Sequence, residues 1–145
     1  RLPRRGQEQW GEAGMTKSDW MDLAVLERRK YNLLSETMDL SRQIGEAMDR
    51  GDDVSLRMLL SMRQEPILGL GEVKNAVRSK REALSSQELE RLSDLESGAQ
   101  PQEGEERTYC DEFGRARRLL EQVLELDRKL NRRLTGKDSC YTAEK

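Results

Sequence analysis

The sequence predicts an all-α protein: an antiparallel helical bundle of three long helices and one short one, with a coiled-coil-like hairpin. Three observations predict it. Twenty-one leucines stand against seven valines and isoleucines together, and that ratio disfavours β-sheet, which draws on β-branched and aromatic residues. Aromatic residues are only 4% of the chain and charged residues 37%, a composition suited to narrow leucine stripes on otherwise solvated helices. A helix stop and a helix start also fall side by side at Arg50-Gly51-Asp52-Asp53, the mark of a tight helical hairpin.

Residues 1–16 hold three arginines, three glycines and a proline without an apolar period, and read as a flexible N-terminal extension. Met15-Thr16 resembles a translation start, and a native flexible arm is the alternative. The first helix is expected from Ser18 to Arg50. There Trp20, Leu23, Leu26, Leu33, Leu34, Leu40 and Ile44 cover a broad half of the helical wheel, wide enough for two neighbours. Thr16 or Ser18 caps its start, and Gly51 closes its end in the left-handed conformation. Asp52 or Asp53 then caps a second helix beginning near Val54. Its seam is Leu56, Arg63, Leu70, Val77 and Leu84, widened by Leu59 and Val73. Pro66, Gly69 and Gly71 interrupt it, at costs of about 3 kcal/mol for the proline and about 1 for each glycine. The apolar phase continues across them, so a kinked continuous helix is expected.

Ser85 and Glu88 have capping-box spacing and start a short helix carrying Leu89, Leu92 and Leu95. Glu96 to Arg107 reads as a mobile acidic loop. The third long helix is expected from Tyr109 or Asp111 to Leu134, with Phe113, Ala116, Leu120, Val123 and Leu130 on its seam. Gly136 is expected to end it. That leaves residues 17–135 as the bundle domain and 136–145 as a flexible C-terminal tail.

The chain has no histidine, which excludes His-based catalytic triads, His metal sites and His pH switching. Its longest apolar run is the four residues Leu23–Leu26, whereas a membrane helix needs about 20. Catalysis is therefore not expected. Gly69-Leu70-Gly71 followed by Lys74 lacks the preceding strand and third glycine of a phosphate-binding turn. Neither Asp52-Asp53 nor Glu103, Glu105 and Glu106 has the alternating pattern of a calcium loop. No cofactor or metal is expected. The arginines at 115, 117, 118, 128, 132 and 133 are interleaved with Glu121 and Glu125, which reads as a solvated face rather than a nucleic-acid stripe. Cys110 and Cys140 have no zinc or redox spacing and read as free thiols of a cytoplasmic protein. Met38, Met48, Met58 and Met62 flank the hairpin. Thioethers adapt to irregular partners, so they read either as core filling or as part of a groove for an amphipathic helix.

A family resemblance rests on four features: the opening leucine-rich helix from Leu33 to Met48, the turn Arg50-Gly51-Asp52-Asp53, the run Leu56 to Leu60 leading into Arg63-Gln64-Glu65-Pro66-Ile67, and Leu124-Glu125-Leu126-Asp127 through Asn131 to Leu134. In these the chain resembles the FlgN-type flagellar export chaperones over 17–80 and 113–135. Pro66 and the two glycines depart from that family's smoother second helix. The resemblance implies a non-enzymatic cytoplasmic chaperone that holds a C-terminal helical segment of a flagellar hook-associated protein. The candidate partner surface is Leu120, Val123, Leu124 and Leu130, residues that serve equally well as core. The alternative is a homodimeric coiled-coil adaptor in which the same leucines face a second copy.

Overall fold

The computed structural model describes residues 14–102 and 104–143, with side chains described as far as 136. Four helices follow in order: α1 (Lys17–Arg50), α2 (Asp53–Glu82), α3 (Ser86–Glu96) and α4 (Gly104–Ala143). The expected flexible extension, up to residue 13, lies outside the described residues. No helix among those described is long and apolar enough to cross a membrane.

The caps follow from local chemistry. Thr16 and Asp19 form a full capping box at the start of α1, with Asp19 N–H donating to the Thr16 hydroxyl at 3.0 Å and Thr16 N–H to the Asp19 carboxylate at 3.1 Å. At the other end Gly51 takes φ 68° and ψ 28°. Its N–H reaches the Met48 carbonyl at 3.1 Å, and the Asp52 N–H reaches Ala47 at 2.9 Å. These are the two closing bonds of a Schellman motif. Asp52 then caps α2 by accepting the Ser55 N–H at 3.0 Å, and hydrogen bonding from the Ser55 side chain and backbone holds its carboxyl below the usual carboxylate range. Ser85 and Glu88 make the second capping box, at the start of α3.

No atom lies within 4 Å of a Cβ built on Gly51, so the cost of a larger residue there is conformational. Gly51→Val is expected to lower stability by roughly 1 kcal/mol or more, and Gly51→Asn, which tolerates the left-handed region, by less. Chemical denaturation checks this; equal midpoints for the valine variant and the parent would refute it.

Helix α1 is the shared partner along which both α2 and α4 lie, while α3 packs against α4. Two apolar clusters fill the interior. One joins Trp20, Leu23, Leu92, Leu95 and Tyr109, and the other Leu40, Ile44, Ala47, Leu56, Leu59 and Leu130. A polar layer adjoins the second. There the Arg63 guanidinium donates to the Ser41 hydroxyl at 2.9 Å and to the Asp127 carboxylate at 2.7 Å, tying α2 to α1 and α4. Arg63 thus keeps its seam position by finding an acid opposite, as a half-buried charge must. Further along, Lys80 of α2 meets Asp22 of α1 at 2.7 Å.

Helix α2 continues through Pro66, as the uninterrupted apolar phase predicts. Pro66 and Gly69 are both buried. A Cβ on Gly69 would stand 3.1 Å from the Leu33 side chain, so this glycine permits close approach of α2 to α1. Gly71 has open space around it.

Two expectations are corrected. The acidic loop is shorter than Glu96–Arg107: Glu96 belongs to α3, and Glu105 and Glu106 form the first turn of α4. Acids are favourable there because the positive end of the helix dipole faces them. Glu106 is also buried and is clamped by Arg91 at 2.6 and 3.0 Å while it accepts the Gln102 N–H at 2.8 Å. Helix α4 also passes through Gly136 to Ala143, so a helix occupies most of the expected tail. A glycine inside a helix costs only about 1 kcal/mol. It marks an end when it turns left-handed, which among the described residues only Gly51 and Gly98 do.

Candidate functional site

The four leucine-face residues singled out in α4 do not share an open surface. Val123 and Leu130 are each only 4% exposed, Leu130 within the second apolar cluster. Leu120 is half-buried and Leu124 exposed. Asp52 acts as the cap of α2, and no group of acidic or cysteine side chains suited to a metal occurs among the described residues. Cys110 is a free, half-buried thiol whose pKa burial pushes up. Cys140 lies beyond the described side chains.

Two other places stand out. The first is a flank of α2. Val54, Met58 and Met62 step by four and so share one face of the helix, and Leu68 returns to it two heptads after Val54. Their exposures are 71%, 56%, 50% and 68%. Of the four methionines around the hairpin, Met38 and Met48 are half-buried while Met58 and Met62 face outward. Glu65 and Glu72 lie on the same flank and make no ion pair among the described residues, with Arg57 at its edge.

The second place is a cavity of about 600 Å³ where α1, α2, α3 and α4 converge. Its floor belongs to a polar network. The Glu96 carboxylate accepts the Tyr109 hydroxyl at 2.7 Å and two Arg81 N–H groups at 2.9 and 3.3 Å. Desolvation, and after it the hydrogen bond to Glu96, raises the Tyr109 hydroxyl far above its ordinary pKa and keeps it protonated. Glu27 sits beside this network, only 5% exposed, and its Oε1 has no hydrogen-bond partner. Three carboxyl side chains are buried among the described residues. Glu106 is paired with Arg91, and Glu112 with Arg28 and Arg115. Glu27 alone of the three has no ion pair, because the guanidinium nearest it is committed to Glu96. Burial therefore pushes the Glu27 carboxyl above the usual range, opposed by the nearby Lys30 charge.

The walls of the cavity include the half-buried Val77, Leu89 and Phe113, and its rim carries Lys30, Lys74 and Arg78. Sequence reasoning passed over Glu27, although a signal existed. It occupies the heptad register of Trp20, Leu34 and Ser41, all of them buried. A charge at such a position announces either a partner across the bundle or a site.

Compared with known protein families, characterised proteins and solved structures, the chain matches none.

Proposed function

We propose that this chain is a non-enzymatic helix-capturing protein, an antiparallel bundle with a coiled-coil-like hairpin that holds an amphipathic helix of another protein. The observation that carries the reading is the α2 flank. Four large apolar side chains, two of them adaptable methionines, lie on one face of a helix whose opposite face is committed to α1. A client helix laid along that flank buries its own apolar stripe and the flank's together, which shields the client from aggregation without making or breaking a bond. Glu65 and Glu72 favour a client with basic residues beside its stripe, an attraction that salt weakens. In its finer form the proposal is a cytoplasmic export chaperone, its client the C-terminal amphipathic helix of a flagellar hook-associated protein. Levels of contact such as Ser41 with Arg63 and Asp22 with Lys80 support the antiparallel arrangement.

The test is a titration of the full chain with a synthetic peptide of such a client helix. Burying a methionine is worth about 1.5–3 kcal/mol, so Met58→Ser/Met62→Ser should weaken binding at least about ten-fold while helicity and melting persist. Unchanged affinity in the double variant would remove the flank from the mechanism. A parent protein that sediments as a dimer, with the double variant monomeric, would favour the homodimeric adaptor instead.

A further inference from the structure

The cavity at the four-helix junction is distinct from the α2 flank, and three features of it converge. Its volume of about 600 Å³ lies within the range of small-molecule sites, which are mostly apolar with a few placed polar groups. Lys74 and Arg78 on its rim make no ion pair among the described residues; Arg78 reaches only the Asn75 side-chain oxygen, at 3.2 Å. At its floor Glu27 presents a buried, unpartnered oxygen. Buried polar atoms are almost always satisfied, and the protein meets that need with Arg91 at Glu106 and with Arg28 at one oxygen of Glu112, whose Oε1 makes no hydrogen bond but has Arg115 at 3.7 Å. At Glu27, which lines the cavity, it leaves a buried acceptor with neither a hydrogen bond nor an ion pair, and cations stand at the cavity's mouth.

We propose that this cavity binds an amphipathic organic anion. Its acidic group would sit between Lys74 and Arg78, its apolar body against Val77, Leu89 and Phe113, and an N–H or O–H donor at its far end against the Glu27 carboxyl. Each part of the ligand answers one part of the lining. The anion neutralises two cations that lack ion pairs among the described residues, the body covers half-buried apolar walls, and the donor supplies the missing hydrogen bond. Lys30, three residues from Glu27 on α1, adds to the positive potential at the mouth. Glu82 on the rim limits the charge that the ligand carries there.

The probe is 6-(p-toluidino)naphthalene-2-sulfonate, which carries a sulfonate at one end of an apolar ring system and an N–H donor at the other. Its fluorescence is titrated against the full-length chain. One saturable site is expected. Glu27→Leu should weaken it about ten-fold, the size of one hydrogen bond to a charged group. Reversing the rim with Lys74→Glu/Arg78→Glu, two exposed positions, should weaken it at least as much. Circular dichroism on the same samples checks the fold. Dye binding unaffected by both sets of changes would overturn the proposal, as would the absence of a saturable site. So would dye binding that survives Glu27→Leu and disappears in Met58→Ser/Met62→Ser, because the dye would then sit on the α2 flank.

Discussion

Leu130→Ala is expected to lower the stability of the protein by about 2–5 kcal/mol, while Leu124→Ser, six residues earlier on the same helix, shifts it by no more than about 0.5 kcal/mol. Both leucines belong to one stretch of α4 and both were candidates for a partner surface. Their surroundings separate them. Leu130 is 4% exposed in a cluster with Leu40, Ile44, Leu56 and Leu59, and a Cβ on Gly45 would stand 3.6 Å from its side chain. Removing its terminal atoms leaves a void bounded by side chains from three helices, which relaxes only in part. Leu124 is 45% exposed and loses little by becoming polar. Denaturant midpoints of the two variants decide the matter. A cost at Leu130 no larger than at Leu124 would mean that α4 is free to leave α1, and the leucines of its inner face would again be available to a client.

The contrast shows which parts of the molecule are legible in the sequence. Thr16, Gly51, Asp52 and the Ser85–Glu88 pair act on backbone groups within a few residues of themselves, so their spacing alone specifies the helix ends they form. The inner seam of α4 is legible for the same reason, since Ala116, Val123 and Leu130 repeat at the helical period and all are buried. Glu106 is not, because its place in a helix depends partly on Arg91, a residue of α3 brought near by the tertiary fold. Within 113–134 the leucine pattern is nearly continuous around α4, so it marks the helix but does not say that Leu124 is open and Val123 closed. The candidate cavity was the least legible feature. Its defining residue, Glu27, is marked by register alone, and register says that a charge is buried without saying whether anything answers it.

Glu27→Leu is expected to make the protein more stable at neutral pH, by about 1–3 kcal/mol, the cost of a buried polar group left without a partner. Most substitutions at a position 5% exposed destabilise, so the sign is the informative part. The groups facing Glu27 pull in both directions. Lys30 and Arg81 favour its charged form and Glu96 disfavours it, with desolvation the largest influence and the net shift upward. A carboxyl whose pKa is higher in the folded chain than in the unfolded one binds its proton more tightly when folded. The stability it contributes is complete below the unfolded value, taken as 4.5. It is lost as pH rises through the raised folded value. The gap between Glu27→Leu and the parent should therefore be widest at neutral pH and narrow on acidification toward pH 4.5, while titrations common to both proteins cancel in the difference. Urea denaturation of the pair across that range measures it. A variant less stable than the parent, with a gap independent of pH, would mean that Lys30 closes onto Glu27 in solution and satisfies it. The oxygen would then be unavailable to a ligand. A gap of the expected sign would mean that the fold tolerates a group costing it stability, as proteins do where a residue is kept for binding. The same leucine variant would then fold well while binding the anionic probe poorly, which separates loss of the site from loss of the structure.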